Sequence, residues 1–253
     1  MWSRLSALSQ RFGPKRMSTI REYFDDTYKF KSHARVLDVS PSDDEVRIAV
    51  DRTIFHPQGG GQPSDSGTIT TCDGREFTVD SLSIDRETDT IWHIGKFAND
   101  AGTLAKGDEV TLAIDGARRR LHAMLHSAGH ILDIVMAGIR PDLAPSKGCH
   151  FPGNAWVEYI GKVDAGDRPD VVRRLQSGID DLIASSIPTT VVVQDDGKRT
   201  IQFGSHAPVG CGGTHVSATS DFGPHRIVID KIQAVKGGAR VKYSLRDEAR
   251  RES

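Results

Sequence analysis

The histidines of one predicted helix have the spacing of metal ligands. His122, His126 and His130 follow one another at intervals of four residues, and residues four apart on a helix share one face, with β-carbons roughly 5–6 Å apart. Two imidazoles placed in this way can bind one zinc ion through bonds of about 2.0–2.1 Å. The spacing allows either of two histidine pairs, and ordinary histidines with hydrogen-bond partners are the alternative interpretation.

A thiol and a further imidazole follow in a later loop. The segment from Pro208 to His215 reads Pro-Val-Gly-Cys-Gly-Gly-Thr-His, so Cys211 and His215 flank two glycines and a threonine. Glycine permits the positive φ values with which a short loop can wrap around an ion. With two histidines, this pair completes the ligand set of a tetrahedral zinc site. A glycine-rich turn with a buried cysteine is the alternative, and spacing does not decide whether such a site is structural or catalytic.

A third unusual segment contains three successive glycines, Gly59–Gly61. It reads Phe-His-Pro-Gln-Gly-Gly-Gly-Gln-Pro-Ser-Asp-Ser-Gly from Phe55 to Gly67. Such a run costs conformational entropy on folding, which is explained if the backbone approaches a ligand there, with Gln62 offering donors and an acceptor. No Gly-Lys-Ser/Thr follows, so the segment is not a phosphate-binding loop. A flexible turn between two strands is the alternative.

The elements that must position these groups fall into two parts. Short β-like stretches broken by Gly, Asp, Ser and Pro come first, and several strands at this spacing predict a small barrel or curved antiparallel sheet. The predicted strands are Arg35–Val39, Glu45–Val50, Gly67–Thr71, Phe77–Ile84, Thr90–Ile94 and Glu109–Ile114. The pattern changes to a helical period near residues 113–117, where we place a domain boundary.

Two helices and a second group of strands are predicted after this boundary. Asp115 is a suitable N-cap for a helix whose apolar residues recur from Leu121 to Met136. A second helix is predicted from Pro169 to Ser185, because proline suits the first helical position. Strands are predicted at Ala155–Ile160, Thr189–Gln194, Ile227–Val235 and Arg240–Leu245, with a hairpin turn at 236–239 between the last two.

The composition limits the classes of protein to which the chain can belong. Its 253 residues are 37% apolar and 26% charged, which is typical of soluble globular proteins. No apolar run reaches the ~20 residues needed to span a bilayer, so no membrane partner is predicted. The formal net charge is -1, so contact with nucleic acid would depend on a local basic patch. Three cysteines are too few for a disulfide framework and favour a reducing compartment.

The first 21 residues differ from the rest of the chain. They contain five basic residues and no acidic one, and apolar side chains recur among them near helical spacing. This composition is typical of a mitochondrial transit peptide, and a disordered basic tail is the alternative. Met17 offers a second start that would remove most of the segment. We therefore expect a cytoplasmic protein, with mitochondrial targeting available through residues 1–21.

Three motifs, in this order, resemble those of a known family. The glycine-rich segment, His-Ser-Ala-Gly-His at 126–130 and Cys-Gly-Gly-Thr-His at 211–215 are similar to motifs of the alanyl-tRNA editing proteins, free-standing relatives of the editing domain of alanyl-tRNA synthetase. The resemblance runs from about residue 24 to 246, suggests the medium-length class, and selects His126 and His130 over His122. Ser127 replaces the usual threonine, and residues 145–151 depart from the family's pattern in the strand after the zinc helix.

The resemblance implies a fold, a reaction and a partner. The implied fold is α+β: a leader at 1–21, a small β-barrel with the glycine-rich motif at 22–114, and a two-layer α/β editing domain with an antiparallel sheet at 115–253. The implied reaction is deacylation of mischarged tRNA for alanine, mainly Ser-tRNA(Ala) and also Gly-tRNA(Ala), with contacts to its acceptor stem and aminoacylated 3′ end. No obligate protein partner is evident. The implied cofactor is one Zn²⁺ per chain, bound by His126, His130, Cys211 and His215.

Further residues acquire expected roles within this scheme. An aminoacyl ester is already activated, so we expect metal-assisted positioning of the ester and a water molecule, without a covalent intermediate. Gly60, Gly61 and Gln62 are expected to contact the aminoacyl adenosine, and Thr68 a serine hydroxyl. Five basic residues are expected to contact RNA phosphates: Arg118, Arg119, Arg120, Lys236 and Arg240. A charged, solvated surface is the alternative interpretation for each of them.

Three other functions stay open at this stage. They are a different zinc hydrolase, a non-catalytic RNA-binding module with a structural zinc, and an editing hydrolase for another aminoacyl-tRNA. The absence of His-Glu-x-x-His argues against a metalloprotease of that type. The glycine-rich loop resembles the alanyl branch and argues against the related threonyl-tRNA synthetase editing domains.

Overall fold

The computed structural model describes residues 18–41, 45–97, 103–194 and 198–247. Positions 1–17 of the leader predicted at 1–21 therefore lie outside the described residues. Its last residues belong to the fold, since Thr19 is buried and Ile20–Arg21 (β1) pairs in parallel with Arg52–Thr53 (β4). In the described parts of the chain, neither helix has the length and apolar character needed to cross a membrane.

Six antiparallel strands of the first half close into a barrel, as predicted. They follow the spatial order β2-β3-β7-β6-β5-β8. Their bounds are Lys31–Pro41 (β2), Val46–Val50 (β3), Gly67–Thr71 (β5), Glu76–Asp85 (β6), Thr90–Phe97 (β7) and Glu109–Ile114 (β8). Alternate side chains of a strand point to opposite faces, so residues such as Ile48, Ile69 and Leu112 are buried in the interior. The strands β2, β6 and β7 are longer than predicted.

The second half is a four-stranded antiparallel sheet with two helices packed against it, which confirms the predicted α+β, two-layer arrangement. The sheet has the order β14-β15-β10-β9. Its strands are Ala144–Phe151 (β9), Asn154–Ile160 (β10), His225–Val235 (β14) and Gly238–Asp247 (β15). The helices Gly116–Ile139 (α1) and Arg168–Ala184 (α2) bury Leu132 and Leu175 in a common core with Val241 of the sheet.

A smaller three-stranded sheet carries the second pair of predicted metal ligands. It has the order β11-β12-β13, formed by Thr189–Val193 (β11), Arg199–Phe203 (β12) and Val209–Gly210 (β13). Two short 3-10 helices lie at Glu22–Phe24 and Thr219–Phe222. Because β13 ends at Gly210, the sheet places Cys211 at the start of the loop that follows.

Besides the two-residue strands β1, β4 and β13, two longer strands were not predicted from the sequence. The strand β9 contains Pro145 and Gly148, which are residue types that sheets usually exclude. Proline is tolerated at the edge of a sheet, and β9 is the edge strand beside β10. The strand β12 is short and contains Arg199 and Gln202, so its apolar pattern is weak.

Helix α1 begins directly after the barrel ends. Asp115 lies between β8 and α1, and its side chain accepts a hydrogen bond from the Arg118 backbone N–H at 3.0 Å. This is the N-cap arrangement expected from the sequence. The short connection holds the beginning of α1 against the barrel, so that the histidine face of the helix lies close to the glycine-rich loop.

Candidate metal centre

Four side chains from two distant segments meet in the second half of the chain. His126 and His130 come from α1, and Cys211 and His215 come from the loop after β13. One ligand atom from each lies within 4.8 Å of the others. The Cys211 Sγ atom is 3.5 Å from Nε2 of His126 and 3.4 Å from Nε2 of His215. The structure thus brings together the four residues that the resemblance selected.

The spacing of these atoms fits a tetrahedral zinc site. Bonds of about 2.3 Å to sulfur and 2.0–2.1 Å to nitrogen, at the tetrahedral angle, set the two ligand atoms about 3.6 Å apart. The two sulfur–nitrogen distances are 3.5 and 3.4 Å. In addition, Nε2 of His130 is buried with no hydrogen-bond partner among the described residues, and buried polar atoms are normally satisfied. A zinc ion at this position would supply that partner.

Gln62 fixes the orientation and tautomer of His126. Its Oε1 accepts a hydrogen bond from the backbone N–H of Thr214 at 3.0 Å, so this atom of the amide is the oxygen. The same oxygen is 2.8 Å from Nδ1 of His126. Nδ1 must therefore carry the proton, and Nε2 keeps the lone pair that faces Cys211 Sγ. Such a hydrogen bond behind a histidine ligand orients the ring and increases its basicity.

The glycine-rich segment is a tight turn that delivers Gln62 to this place. Gly59 and Gln62 exchange two backbone hydrogen bonds, at 3.1 and 3.0 Å. Gly60 and Gly61 between them have φ of 56° and 78°, values that residues with a β-carbon rarely adopt. The Gly61 carbonyl also accepts a hydrogen bond from the His150 backbone N–H at 2.8 Å. The glycines are therefore required by the geometry of a turn that packs against β9.

Gln62 is not placed to touch a substrate, which corrects its expected role. Its side chain is fully buried. The amide oxygen is shared between His126 and Thr214, and the amide nitrogen donates to Thr214 Oγ1 at 2.9 Å. Gln62 therefore supports a metal ligand from behind, whereas Gly60 of the same turn faces the cavity described below.

The loop with Cys211 and His215 is held on both sides. Arg199 is almost fully buried and donates from Nη1 to the carbonyl oxygens of Cys211 and Gly213, at 2.8 and 2.9 Å. On the other side, the Ser127 hydroxyl accepts a hydrogen bond from the Val216 backbone N–H at 3.0 Å. Ser127 therefore ties the loop to α1.

Burial keeps the three imidazoles of the cluster neutral. It lowers the pKa of His130 to about 4 and lowers the pKa of His126 and His215 well below the ordinary value, an effect that the neighbouring imidazoles reinforce at His126 and His215. Burial raises the pKa of the Cys211 thiol, while the Gly213 N–H and the Arg199 charge act in the opposite direction. Neutral imidazole is the form that binds metal, and the thiol would lose its proton on binding.

The cluster borders a cavity of about 390 Å³. The candidate ligands His126, His130 and Cys211 line it. Two charged side chains also line it: Asp133, which is partly buried, and Lys147, which is exposed. Cavities of this size are typical of small-molecule sites.

His150 was not singled out from the sequence, although it also lines the cavity. Its ring stacks on that of His126, with centroids 4.6 Å apart and an angle of 19° between the planes. Burial lowers the pKa of His150 to about 4. The sequence offered one signal for His150, which is that it lies in the segment 145–151 that departs from the family's pattern. The position of its ring follows only from the pairing of β9 with β10.

Two further residues are not brought to the cluster. His122, the first member of the histidine ladder, is buried outside the four-ligand group. Thr68 lies in β5, paired with Ala113 and Thr78 in the barrel wall, and is not among the residues that line the cavity. The structure therefore gives no support to Thr68 as a contact for a serine hydroxyl.

The predicted RNA-binding residues differ widely in exposure. Arg119 is fully buried, where its Nε lies 3.1 Å from both carboxylate oxygens of Asp65 and its Nη1 donates to the Thr27 carbonyl at 2.9 Å. The prediction that Arg119 contacts RNA is wrong, because its guanidinium cannot reach a phosphate. Arg118 and Lys236 are exposed.

Arg120 and Arg240 have partners on the protein. The exposed Arg120 guanidinium lies 4.8 Å from the ring centroid of Tyr28 and 4.9 Å from that of Phe30. Arg240 is partly buried and pairs with Glu158 at 2.6 Å. Both arginines keep part of their surface accessible, so a contact with RNA stays a prediction for each.

The first half of the chain matches a class of nucleic-acid enzymes. A family profile of class II (A) tRNA synthetases matches residues 18–118, which contain the barrel and the beginning of α1. The barrel that carries the glycine-rich turn is thus similar in sequence to a part of this profile.

More specific relatives cover both halves. Alanyl-tRNA editing protein AlaX-L of Pyrococcus horikoshii is 30% identical over 80% of this chain. Alanine–tRNA ligases of Acaryochloris marina and Haloquadratum walsbyi are 26% and 27% identical over 98% and 91% of this chain. These similarities confirm the predicted resemblance: the chain is similar in sequence to an alanyl-tRNA editing protein and to alanine–tRNA ligases. It spans 52% of the length of AlaX-L, and 31% and 26% of the two ligases.

Proposed function

We propose that this chain is a zinc-dependent hydrolase that deacylates mischarged tRNA for alanine, mainly Ser-tRNA(Ala) and also Gly-tRNA(Ala). The observation that carries the proposal is the position of three candidate metal ligands in the wall of a cavity of about 390 Å³. A purely structural zinc has no need of such a cavity. The similarity to AlaX-L supports the choice of substrate class.

One zinc ion would be held by His126, His130, Cys211 and His215. When bound, it would polarise the ester carbonyl or lower the pKa of a water molecule. The chain's own residues supply the positioning: Gln62 holds His126 in the required tautomer, and Ser127 and Arg199 hold the loop of the other two ligands. An aminoacyl ester is labile enough for positioning and electrostatic stabilisation to suffice.

Recognition of the tRNA would rest on basic residues outside the cavity and on one in its wall. Acceptor-stem phosphates would be contacted by Arg118, Arg120, Lys236 and the partly exposed Arg240, and Lys147 in the cavity wall would meet the phosphate nearest the 3′ end. Each contact would add to the salt dependence of binding.

The test is deacylation of tRNA(Ala) charged with serine, glycine or alanine, with the zinc content of each protein sample measured in parallel. We expect about one zinc per chain and faster release of serine and glycine than of alanine. His130→Gln should lose zinc and activity together, and His122→Gln, outside the cluster, should retain both. Equal hydrolysis of the three esters, or RNA binding without turnover, would contradict the proposal.

A further inference from the structure

The His150 ring occupies a place that two glycines leave open, and it lies beside a third. A β-carbon at Gly129 of α1 would lie 2.5 Å from His150 Cε1, one at Gly148 of β9 would lie 2.7 Å from Nε2, and one at Gly61 would lie 3.0 Å from Cδ2. These distances are shorter than carbon atoms tolerate without displacement. Gly129 and Gly148 thus lack a side chain where the imidazole lies, while a β-carbon at Gly61 would meet the Gly148 carbonyl oxygen first, at 2.4 Å. The position of the ring is therefore built into the fold.

A hydrogen-bond chain fixes the ring's tautomer. The Tyr243 hydroxyl donates its one proton to the Leu125 carbonyl at 2.8 Å. It must therefore accept the hydrogen bond that joins it to His150 Nδ1 at 2.6 Å. Nδ1 carries the proton, and Nε2 keeps a lone pair.

The lone pair of Nε2 is available to a ligand in the cavity. His150 is 6% exposed and lines the cavity. Its Nε2 lies next to the backbone of Gly148, which lines the same cavity. No hydrogen bond to Nε2 occurs within the part of the chain that the structure describes. An acceptor that lacks a partner on the protein and borders a cavity can accept a hydrogen bond from a ligand or from water. His150 does not belong to the group of four side chains that could hold a metal ion.

We propose that His150 is a substrate-binding residue whose Nε2 accepts a hydrogen bond from the α-amino group of the aminoacyl ester. The inference rests on the proposed function, since it needs an aminoacyl ester in the cavity. The α-nitrogen is two bonds from the ester carbonyl carbon, and the His150 ring is stacked on the ligand His126. An ester placed at the metal centre therefore brings its amino group beside His150.

One carboxylate in the cavity wall agrees with this assignment. Asp133 is the one acidic residue among those that line the described cavity, and Lys147, the cationic side chain of the same lining, is exposed to solvent. The negative charge of Asp133 favours a cationic ammonium group nearby. A hydrogen bond from a charged donor is also stronger than one from a neutral hydroxyl, so the amino group is the donor that such an acceptor would select. Serine and glycine esters share this group, and both could use the contact.

The experiment uses two non-hydrolysable probes with the full chain loaded with zinc. One is 3′-deoxy-3′-serylaminoadenosine, in which an amide replaces the ester, and the other is the same molecule without its α-amino group. We expect the wild type to bind the amino probe at least about tenfold more tightly than the deamino probe, as for a hydrogen bond to a charged group. His150→Leu should abolish this preference, and His150→Gln, which can still accept, should retain part of it.

Zinc content and the control His122→Leu complete the design. All variants should bind about one zinc per chain, which shows that the metal centre is intact, and His122→Leu should keep the preference. If His150→Leu loses zinc, the comparison rests on His150→Gln. A preference for the amino probe that is unchanged in the zinc-loaded variants would overturn the inference while leaving the proposed function in place. Failure of the wild type to bind either probe would overturn both.

Discussion

Oε1 of Gln62 lies 2.8 Å from Nδ1 of His126, and it also accepts the backbone N–H of Thr214 at 3.0 Å. One amide oxygen of the barrel half thus holds a candidate ligand of helix α1 and the loop that carries Cys211 and His215. The candidate metal centre is therefore assembled from both halves of the chain, although its four side chains come from the second half.

Replacing Gln62 with leucine should weaken zinc binding about 10–100-fold, which is the usual cost of removing a hydrogen bond behind a histidine ligand. The leucine would keep the volume but leave Nδ1 of His126 without its acceptor. A competition titration against a chromophoric chelator would measure the change. Gln58→Leu is the matched control, because Gln58 lies in the same segment and is exposed. Equal zinc affinity in both variants would contradict the orienting role of Gln62.

His130→Gln should abolish stoichiometric zinc binding, whereas His122→Gln should retain about one zinc per chain. Only the former belongs to the group of four convergent side chains, although the two histidines lie on the same helix and are both shielded from solvent. Metal analysis after dialysis would distinguish them. Retention of zinc by His130→Gln would show that the ion is held by another set of ligands.

The sequence predicted those features that depend on local periodicity or on fixed spacing. The barrel strands alternate between buried and exposed residues, and the apolar residues of α1 recur at the helical period, so both were recognised. The ligand pairs were found because the two members of each pair are four residues apart. Spacing alone left His122 as an alternative, and only the resemblance selected His126 and His130.

The features that were missed depend on contacts between distant segments. Arg119 looks like its exposed neighbours Arg118 and Arg120, and its burial is explained only by Asp65, which is 54 residues away. The position of His150 depends on glycines in two elements, α1 and β9. No local pattern reports such pairings, so the role of Gln62 behind a ligand also required the structure.

Arg119→Met should destabilise the fold by about 3–5 kcal/mol, because it leaves the Asp65 carboxylate buried without its ionic partner. Asp65 is 1% exposed and Arg119 0%. Arg118→Met, on the adjacent exposed position, should change stability by no more than about 0.5 kcal/mol. Urea unfolding of both variants would measure the difference in unfolding free energy. A chelator would be present so that metal binding does not contribute to it. Similar midpoints for the two variants would mean that the buried pair contributes little.

The stability of the fold should depend on pH through the titration of the Asp133 carboxyl. Burial raises the pKa of this carboxyl from 3.8 to about 6, against the opposing effect of the hydrogen bond from Tyr159. The folded chain therefore binds this proton more tightly than the unfolded chain does. The resulting stabilisation is fully present below about pH 4 and is lost as the pH rises towards 6, because the ionised carboxylate is then buried. At about 1.4 kcal/mol per pKa unit, the loss is about 3 kcal/mol.

Asp133→Asn removes this titration, and its amide oxygen can still accept the Tyr159 hydroxyl. The unfolding free energy of the zinc-free wild type, relative to that of Asp133→Asn, should therefore fall between pH 4 and 7. Asp142 provides a control of opposite sign, because its hydrogen bond with Arg140 lowers the pKa of that exposed carboxyl. The unfolding free energy of the wild type, relative to that of Asp142→Asn, should not fall between pH 4 and 7. A flat difference between wild type and Asp133→Asn would show that the carboxylate is solvated, which would contradict the raised pKa but would leave Asp133 negatively charged.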